Sequence, residues 1–270
     1  MRTASAQALE SGRNTLDASL LGDHSAERVA EELFALADVL KEEGSLRRSL
    51  SDPSRTAEDK QSLADHLLDG KVLAPTQAVM KTLVAARWST EKDLIRALQE
   101  LGVDALIEMA RQADQLVEVQ HELGLIRNLL RENRDLRIAL SPASQLDAEQ
   151  RVALVGKVLA GKATASTLHL VSRLVSHPQH ASTVAALDQV ASRVAHARQK
   201  RLVRVTSATP LSEEQLQRLH SVLSKKYGPV SINTAVNPDF IGGLRVRVGS
   251  DAIDGTLQAS IAGVKQRLGV

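Results

Sequence analysis

The fold is decided by the stretch LVRVTSATPLSEEQLQRL, residues 202–219, where the spacing of apolar residues changes. Its first six residues alternate between apolar and polar side chains, which is typical of a half-buried strand. A helix is predicted next, because Ser212 is a favourable N-cap residue and Gln215, three positions later, completes a capping box. Residues before 202 follow a helical period instead, so a second kind of domain begins here.

Upstream of this point, apolar residues recur mostly at intervals of three or four, which predicts helices. Leu33, Leu36 and Leu40 form one such stripe. Helix-breaking residues divide the region into segments of about 10–20 residues. These breaks lie at Asp52-Pro53, Gly70, Pro75, Ser141-Pro142, Gly161 and His177-Pro178. The sequence therefore predicts an antiparallel helical bundle with short connections.

The helical region contains two copies of one unit. Residues Glu32, Leu33, Leu40, Glu42, Leu46, Arg47, Leu50 and Ser51 recur 90 positions later as Glu122, Leu123, Leu130, Glu132, Leu136, Arg137, Leu140 and Ser141. The match continues 91 positions apart at Ala57-Glu58, Leu63, Gly70-Lys71 and Val84. We predict a first helical bundle unit at residues 1–110 and a second at 111–200, which share the helix at 91–111.

Downstream, residues 201–270 are predicted to form a small α+β domain. Alternating side chains indicate strands at 230–236 and 244–248, separated by a turn at Asn237-Pro238-Asp239, and a short strand at 252–254. A last helix would present Leu257, Ile261, Val264 and Leu268 on one side. The predicted fold class is thus mainly α, an internally duplicated helical bundle followed by a small α+β domain.

Composition narrows the classes of function. Lys and Arg number 34 against 32 Asp and Glu, so the net charge of +2 is far from that of a strongly basic nucleic-acid protein. There is no cysteine, which removes thiol chemistry, and only four residues are aromatic: Phe34, Trp88, Tyr227 and Phe240. No stretch approaches the ~18 apolar residues of a membrane span. We expect a soluble cytosolic protein.

No catalytic, cofactor-binding or metal-binding residue is predicted. The segment Gly156–Ala163 has phosphate-loop spacing, but Ala163 offers Mg²⁺ no hydroxyl and a helix precedes the segment, so a helix ending at Gly161 is the better interpretation. His169, His177 and His180 are the densest histidine group and lack ligand-like partners, which favours surface loop histidines.

The densest basic run is HARQKRLVR, residues 196–204, at the junction of the two parts. Cations are favourable at a helix C-terminus, so a solvated helix end explains it simply. Two alternatives stay open: an acidic protein partner held by Arg198, Lys200 and Arg201, and a nucleic-acid-binding module, which would bind less tightly as salt rises.

One set of C-terminal residues carries a resemblance. It comprises Thr206–Ser212, Asn237-Pro238-Asp239-Phe240-Ile241-Gly242-Gly243, Gly249 and Asp254-Gly255-Thr256. This order resembles the delta subunit family of bacterial F-type ATP synthase, known in mitochondria as OSCP. The segment from Arg137 to Arg201 is similar to the family's N-terminal bundle, and the duplicated unit is similar to longer bacterial members. Within the motif, a structural role is expected for Pro238, Ile241, Gly242, Gly243, Gly249, Asp254 and Gly255, since Pro and Gly fix turns.

The resemblance implies a non-catalytic stator subunit of the peripheral stalk in proton-driven ATP synthesis. Its helical part would hold N-terminal helices of the α subunits, and its α+β domain would bind the membrane-anchored b-type subunit. The protein would then lie at the cytoplasmic face of the membrane, reaching it only through the complex. Leu9, Leu16 and Leu20 on the first helix would line the α-subunit groove or pack in the core. A small-molecule enzyme is a further alternative, which would need a pocket with perturbed acids or bases.

Overall fold

The computed structural model describes residues 3–20, 25–199, 201–227, 230–237, 240, 242–248 and 251–256. Within these ranges eleven helices precede the first strand. They are α1 (Thr3–Ser19), α2 (Ala26–Glu42), α3 (Gly44–Ser51), α4 (Ala57–Leu68), α5 (Ala74–Ala85), α6 (Glu91–Gln112), α7 (Leu116–Glu132), α8 (Arg134–Ala139), α9 (Ala148–Leu159), α10 (Ala165–Ser176) and α11 (Thr183–Gln199). The C-terminal part contains β1 (Arg201–Ser207), α12 (Glu213–Tyr227), β2 (Val230–Val236), β3 (Gly243–Val248) and β4 (Asp251–Thr256).

The helix boundaries confirm the predicted duplication. The start of α7 lies 90 positions after that of α2, and α9 and α10 each start 91 positions after α4 and α5. We call α2–α5 the first copy and α7–α10 the second copy. The 22-residue helix α6 connects them and packs extensively on α2. The sequence signal for the repeat therefore reflects repeated three-dimensional structure.

Equivalent side chains make equivalent contacts in the two copies. Glu32 of α2 accepts hydrogen bonds from the backbone N–H of Leu73 at 2.9 Å and from the hydroxyl of Thr76 at 2.6 Å, at the start of α5. Glu122 of α7 accepts from the N–H of Thr164 at 3.1 Å and from its hydroxyl at 2.9 Å, at the start of α10. Each glutamate thus satisfies backbone donors that a helix N-terminus leaves free.

The turns of the two copies also correspond. Gly70 follows α4 with φ +66°, and Gly161 follows α9 with φ +65°, in the left-handed region that side chains with a Cβ rarely adopt. Arg47 and Arg137 lie 90 positions apart, and each guanidinium donates to carbonyls at the end of the preceding long helix. The segment with phosphate-loop spacing therefore forms a helix that ends at Leu159 and a glycine turn.

A four-stranded sheet forms the C-terminal part, with strand order β2-β1-β3-β4. Strands β1 and β2 are parallel, joined through α12, whereas β3 is antiparallel to both β1 and β4. Side chains from the sheet and α12 form its core: Val203, Val205, Leu223, Val230, Ile232 and Val246. The predicted strands are confirmed, and the sequence pattern alone did not give their order.

The helix α12 begins as predicted. The backbone N–H of Gln215 donates to the Ser212 hydroxyl at 3.3 Å, and the N–H of Ser212 donates to the Gln215 side-chain oxygen at 2.9 Å. These two reciprocal bonds are the capping box. The predicted last helix, from Leu257 to Leu268, lies outside the described residues.

The chain divides into two compact units. One contains α2 to α11 together with α1 up to Arg13. The other contains the rest of α1 and the elements from β1 onward. We call the elements from β1 onward the α+β module.

Candidate partner-binding surfaces

Asp104 on α6 joins helices from both ends of the helical unit. Its carboxylate accepts from Nε of Arg13 on α1 at 3.0 Å and from Nε of Arg193 on α11 at 3.1 Å. A second Arg193 nitrogen also contacts it. Arg13 reaches Glu100 at 3.1 Å as well. Burial lowers the pKa of the Arg13 guanidinium, but attraction to Asp104 and Glu100 outweighs this and raises it overall.

The two copies meet where α10 packs beside α2. Two nitrogens of Arg173 donate to the Asp38 carboxylate, each at 3.2 Å, and the guanidinium lies 4.1 Å from the centre of the Phe34 ring. Phe34 in turn covers Gly102 of α6, where an added Cβ would come within 2.3 Å of the ring. A bidentate ion pair and a cation–π contact thus hold this junction together.

The expectation of surface loop histidines is wrong for His169, which lies in a helix, whereas His177 lies in the bend that follows α10. His169 lies within α10, and its Nδ1 is 3.2 Å from Glu27 of α2. His177 is the C-cap residue that follows Ser176, and its Nε2 lies 3.3 Å from the Asp38 carboxylate. Burial lowers the pKa of His177, repulsion from Arg173 lowers it further, and Asp38 partly opposes both. Helical packing, which single-sequence spacing does not reveal, places these rings opposite acidic side chains.

Three leucines in or directly after α1, expected either to line a partner groove or to pack in the core, are buried within the chain. Leu9, Leu16 and Leu20 are 6%, 2% and 1% exposed. Side chains this buried are typical of core packing. Contact between these residues and a partner stays a prediction, and it would require α1 to move.

The basic run spans the end of α11 and the start of β1. Arg198 lies in the last turn of α11, and its guanidinium donates to the side-chain oxygen of Gln120 on α7. The backbone of Arg201 begins β1, and Lys200 lies outside the described residues. The structure therefore places Arg198 on the helical unit, beside α7.

The C-terminal motif is only partly described. Gly242 and Gly243 lead into β3, and Gly243 has φ +87°. Asp254 and Gly255 lie in β4, where they pair with Arg245 and Leu244 of β3. The remaining motif residues, Pro238, Ile241 and Gly249, lie outside the described residues. The described glycines and Asp254 of the motif thus lie in the β3–β4 hairpin or directly before it.

An apolar cavity of about 620 Å³ opens beside this motif in the α+β module. Its lining comes from the end of β1, one face of α12 and the start of β3, and includes Ala208, Leu211, Leu219, Val222 and Leu244. Val222 is 58% exposed at its edge. Exposed apolar surface of this kind marks interaction sites, so this cavity is a candidate docking surface that the sequence pattern did not reveal.

Two properties of the described residues bear on other functions. No group of three or more His, Asp or Glu side chains there could hold a metal ion. In the same part of the chain, no helix combines the length and apolarity needed to cross a bilayer.

Comparison with known proteins identifies the family. The family described as ATP synthase delta (OSCP) subunit matches this chain over residues 103–268. The chain belongs to this family. The matched residues begin inside α6 and run through the second copy into the α+β module, so the first copy precedes the matched range.

Curated relatives named ATP synthase subunit delta span both copies. The relative from Beutenbergia cavernae is 36% identical and covers 99% of each chain, as does that from Streptomyces griseus. The relative from Salinispora arenicola is 40% identical over 84% of this chain and 83% of its own. A chain in the cryo-EM structure of the Toxoplasma gondii mitochondrial ATP synthase hexamer is 25% identical, covering 62% of this chain and 95% of its own, with a TM-score of 0.26.

Proposed function

We propose that this chain is a non-catalytic peripheral-stalk subunit of the F-type ATP synthase, linking the catalytic head to the membrane-anchored b-type subunit. The observation that carries the proposal is its similarity to ATP synthase delta subunits over 99% of its length. A stator resists the torque of the rotor only while it holds both neighbours. The protein is accordingly assigned to the cytoplasmic face of the membrane, as a peripheral part of a hetero-oligomeric complex.

Within this proposal, residues 1–200 hold the N-terminal helices of the α subunits, and residues 201–270 bind the b-type subunit. The division is supported by the different construction of the two compact units, one helical and one built on a sheet. The apolar cavity beside α12 supports a helical partner for the α+β module. Once the chain has bound one neighbour, the other is held nearby, which raises its effective concentration at the second binding surface.

No specific contact favours the nucleic-acid alternative within the described residues. Arg198, which belongs to the 196–204 run, is engaged by the neutral amide of Gln120. The few aromatic residues also leave little surface for stacking bases.

Titration of the purified protein with a peptide from the α-subunit N-terminus tests the head contact. Trp88 is the only tryptophan, and its indole N–H donates to the carbonyl of Leu83 at 2.8 Å. The next residue, Ser89, donates its N–H to the hydroxyl of Ser5 on α1, so Trp88 emission reports on the α1–α5 region. We expect saturable heat release in calorimetry with a stoichiometry of one peptide site or more. No heat and no emission change at high peptide concentration would contradict the proposed head contact.

A further inference from the structure

One exposed apolar ridge on α7 belongs to none of the surfaces above. Val117 and Leu125 are 56% and 55% exposed, two turns apart on the same side of the helix. Hollows lie on both sides of Leu125. One, of about 460 Å³, is lined by Val117, His121, Gly124 and Arg198 among others. Contiguous exposed apolar surface rimmed by polar groups is typical of an interaction site.

The second hollow, of about 580 Å³, extends the apolar surface toward α9. Leu125, Leu129 and Leu136 line it together with Lys157 and Lys162. Glu122 also lines it, but this carboxylate is held by the backbone and hydroxyl of Thr164. The ridge therefore has cationic side chains on both flanks, Arg198 on one and the two lysines on the other.

The first copy shows what this face of the repeat does. At the positions equivalent to Val117 and Asn128, 90 residues earlier, Glu27 and Asp38 contact His169 and Arg173 of α10. Phe34, equivalent to Gly124, is covered by the Arg173 guanidinium. Helix α10 thus contacts this face of α2 at Glu27, Phe34 and Asp38, whereas Val117 on the corresponding face of α7 is exposed.

A helix that binds this face of α7 must differ in chemistry from α10, because the residues of α7 differ from those of α2. Glu27 and Asp38, which contact His169 and Arg173 of α10, are replaced by Val117 and Asn128, and Glu31 is replaced by His121. The acidic groups of this face are therefore gone. Gly124 replaces the bulky Phe34, and no atom lies within 4 Å of where its Cβ would be. A large apolar side chain from outside would fit there, with carboxylates facing the cationic flanks.

We propose that the α7 surface, formed by Val117, His121, Gly124 and Leu125 between Arg198 and Lys157, binds an acidic amphipathic helix of another polypeptide. The helix presents a large apolar side chain to Gly124 and carboxylates to the flanking cations. Its source is another subunit of the same complex, so this inference rests on the proposed function in that respect. The second copy then contributes a contact that the first copy does not offer, because α10 already contacts Glu27, Phe34 and Asp38 on the equivalent face.

Cysteine accessibility tests the surface in the assembled enzyme. The chain has no native cysteine, so Leu125→Cys introduces one thiol into this subunit. We expect its reaction with a maleimide, followed on this subunit by mass spectrometry, to be slower by about tenfold or more in purified ATP synthase than in the free chain, because the core of an interface excludes solvent. Ala35→Cys, the exposed equivalent in the first copy, is the matched control and keeps its rate within about twofold.

The outcomes separate the two proposals. Absence of the chain from purified ATP synthase overturns the proposed function. In two other outcomes the chain is present at full stoichiometry, while the labelling rate of Leu125→Cys is unchanged or Ala35→Cys is slowed equally. Either result overturns the proposed α7 surface and leaves the proposed function standing.

Crosslinking from the same thiol identifies the occupant. A benzophenone is attached to the Leu125→Cys variant, and the assembled enzyme is illuminated. We expect the benzophenone to attach to a helical segment of another subunit that has Asp or Glu within one helical turn of the crosslinked residue. Attachment only to lipid, nucleic acid or this chain contradicts the proposal.

Charge reversal tests the predicted acidic character. In the Leu125→Cys background, Lys157→Glu is expected to return the labelling rate in the complex toward that of the free chain, because a carboxylate there repels the acidic helix. The neutral variant Lys157→Gln is expected to have a smaller effect. Equal labelling rates in all three backgrounds would contradict an acidic partner.

Discussion

Asp104→Asn removes the carboxylate at which α1, α6 and α11 converge. In the folded chain this side chain is 22% exposed, and it accepts hydrogen bonds from both Arg13 and Arg193. Hydrogen bonds to charged groups contribute about 1.5–3 kcal/mol each, and a partner left without its counterion adds a desolvation cost. Since the site is partly hydrated, we expect a total loss of about 2–3 kcal/mol in the free energy of unfolding.

Thermal unfolding followed by circular dichroism measures this loss. A change of 1 kcal/mol moves the midpoint of a domain of this size by about 2–4 °C, so Asp104→Asn should lower it by roughly 4–12 °C. The control is Asp188→Asn, which removes a carboxylate that also contacts two arginines, Arg127 and Arg131, but is 42% exposed. Exposed pairs contribute about 0–1 kcal/mol. Equal midpoints for the two variants would refute the central role of Asp104.

Three further predictions concern the helical unit. Gly102→Ala should lower the free energy of unfolding of the helical unit by about 1–3 kcal/mol in urea titrations, because the new Cβ meets the Phe34 ring. Gly124→Ala, where the new Cβ lies in open space, should raise it by up to about 1 kcal/mol. A change of the same sign in both variants would contradict this packing. Glu32→Gln and Glu122→Gln should each cost about 1–3 kcal/mol, since each glutamate caps an equivalent helix. A negligible effect of either would argue against equivalent caps. The folded-state pKa of His177 lies below its ordinary 6.5, so its neutral form favours folding at high pH and this advantage fades as pH falls below about 6.5. His177→Gln should therefore flatten the decline in stability between about pH 7.5 and 5.5 in urea titrations, and an unchanged decline would contradict this role of His177.

Local signals in the sequence predicted much of the fold. The Ser212–Gln215 capping box lies within one turn, so its residue types alone indicate the start of α12. The duplication was readable because Glu32 and Glu122 perform the same capping task and keep the same spacing from their helices. The alternating side chains likewise gave the bounds of β2.

Long-range contacts could not be predicted in this way. Arg13 and Arg193 approach Asp104 from 91 and 89 positions away, and nothing in the spacing of a single sequence links them. An amphipathic stripe shows that one face of a helix is apolar, but it does not show what covers that face. The sequence pattern is therefore compatible with a partner groove at Leu9, Leu16 and Leu20, although the structure buries all three side chains. The ridge at Leu125 shows the opposite difference. The spacing of its apolar residues resembles that of a buried stripe, yet the side chain is exposed.

The central claim is that this chain couples the two halves of the ATP synthase by holding both. The most direct measurement is the rate of proton-driven ATP synthesis in membrane vesicles stripped of the chain, before and after its purified form is added back. The account predicts that synthesis is lost on stripping and returns in proportion to bound chain, with saturation at one chain per enzyme. Full coupled synthesis in stripped vesicles that contain intact head and membrane sectors would contradict it.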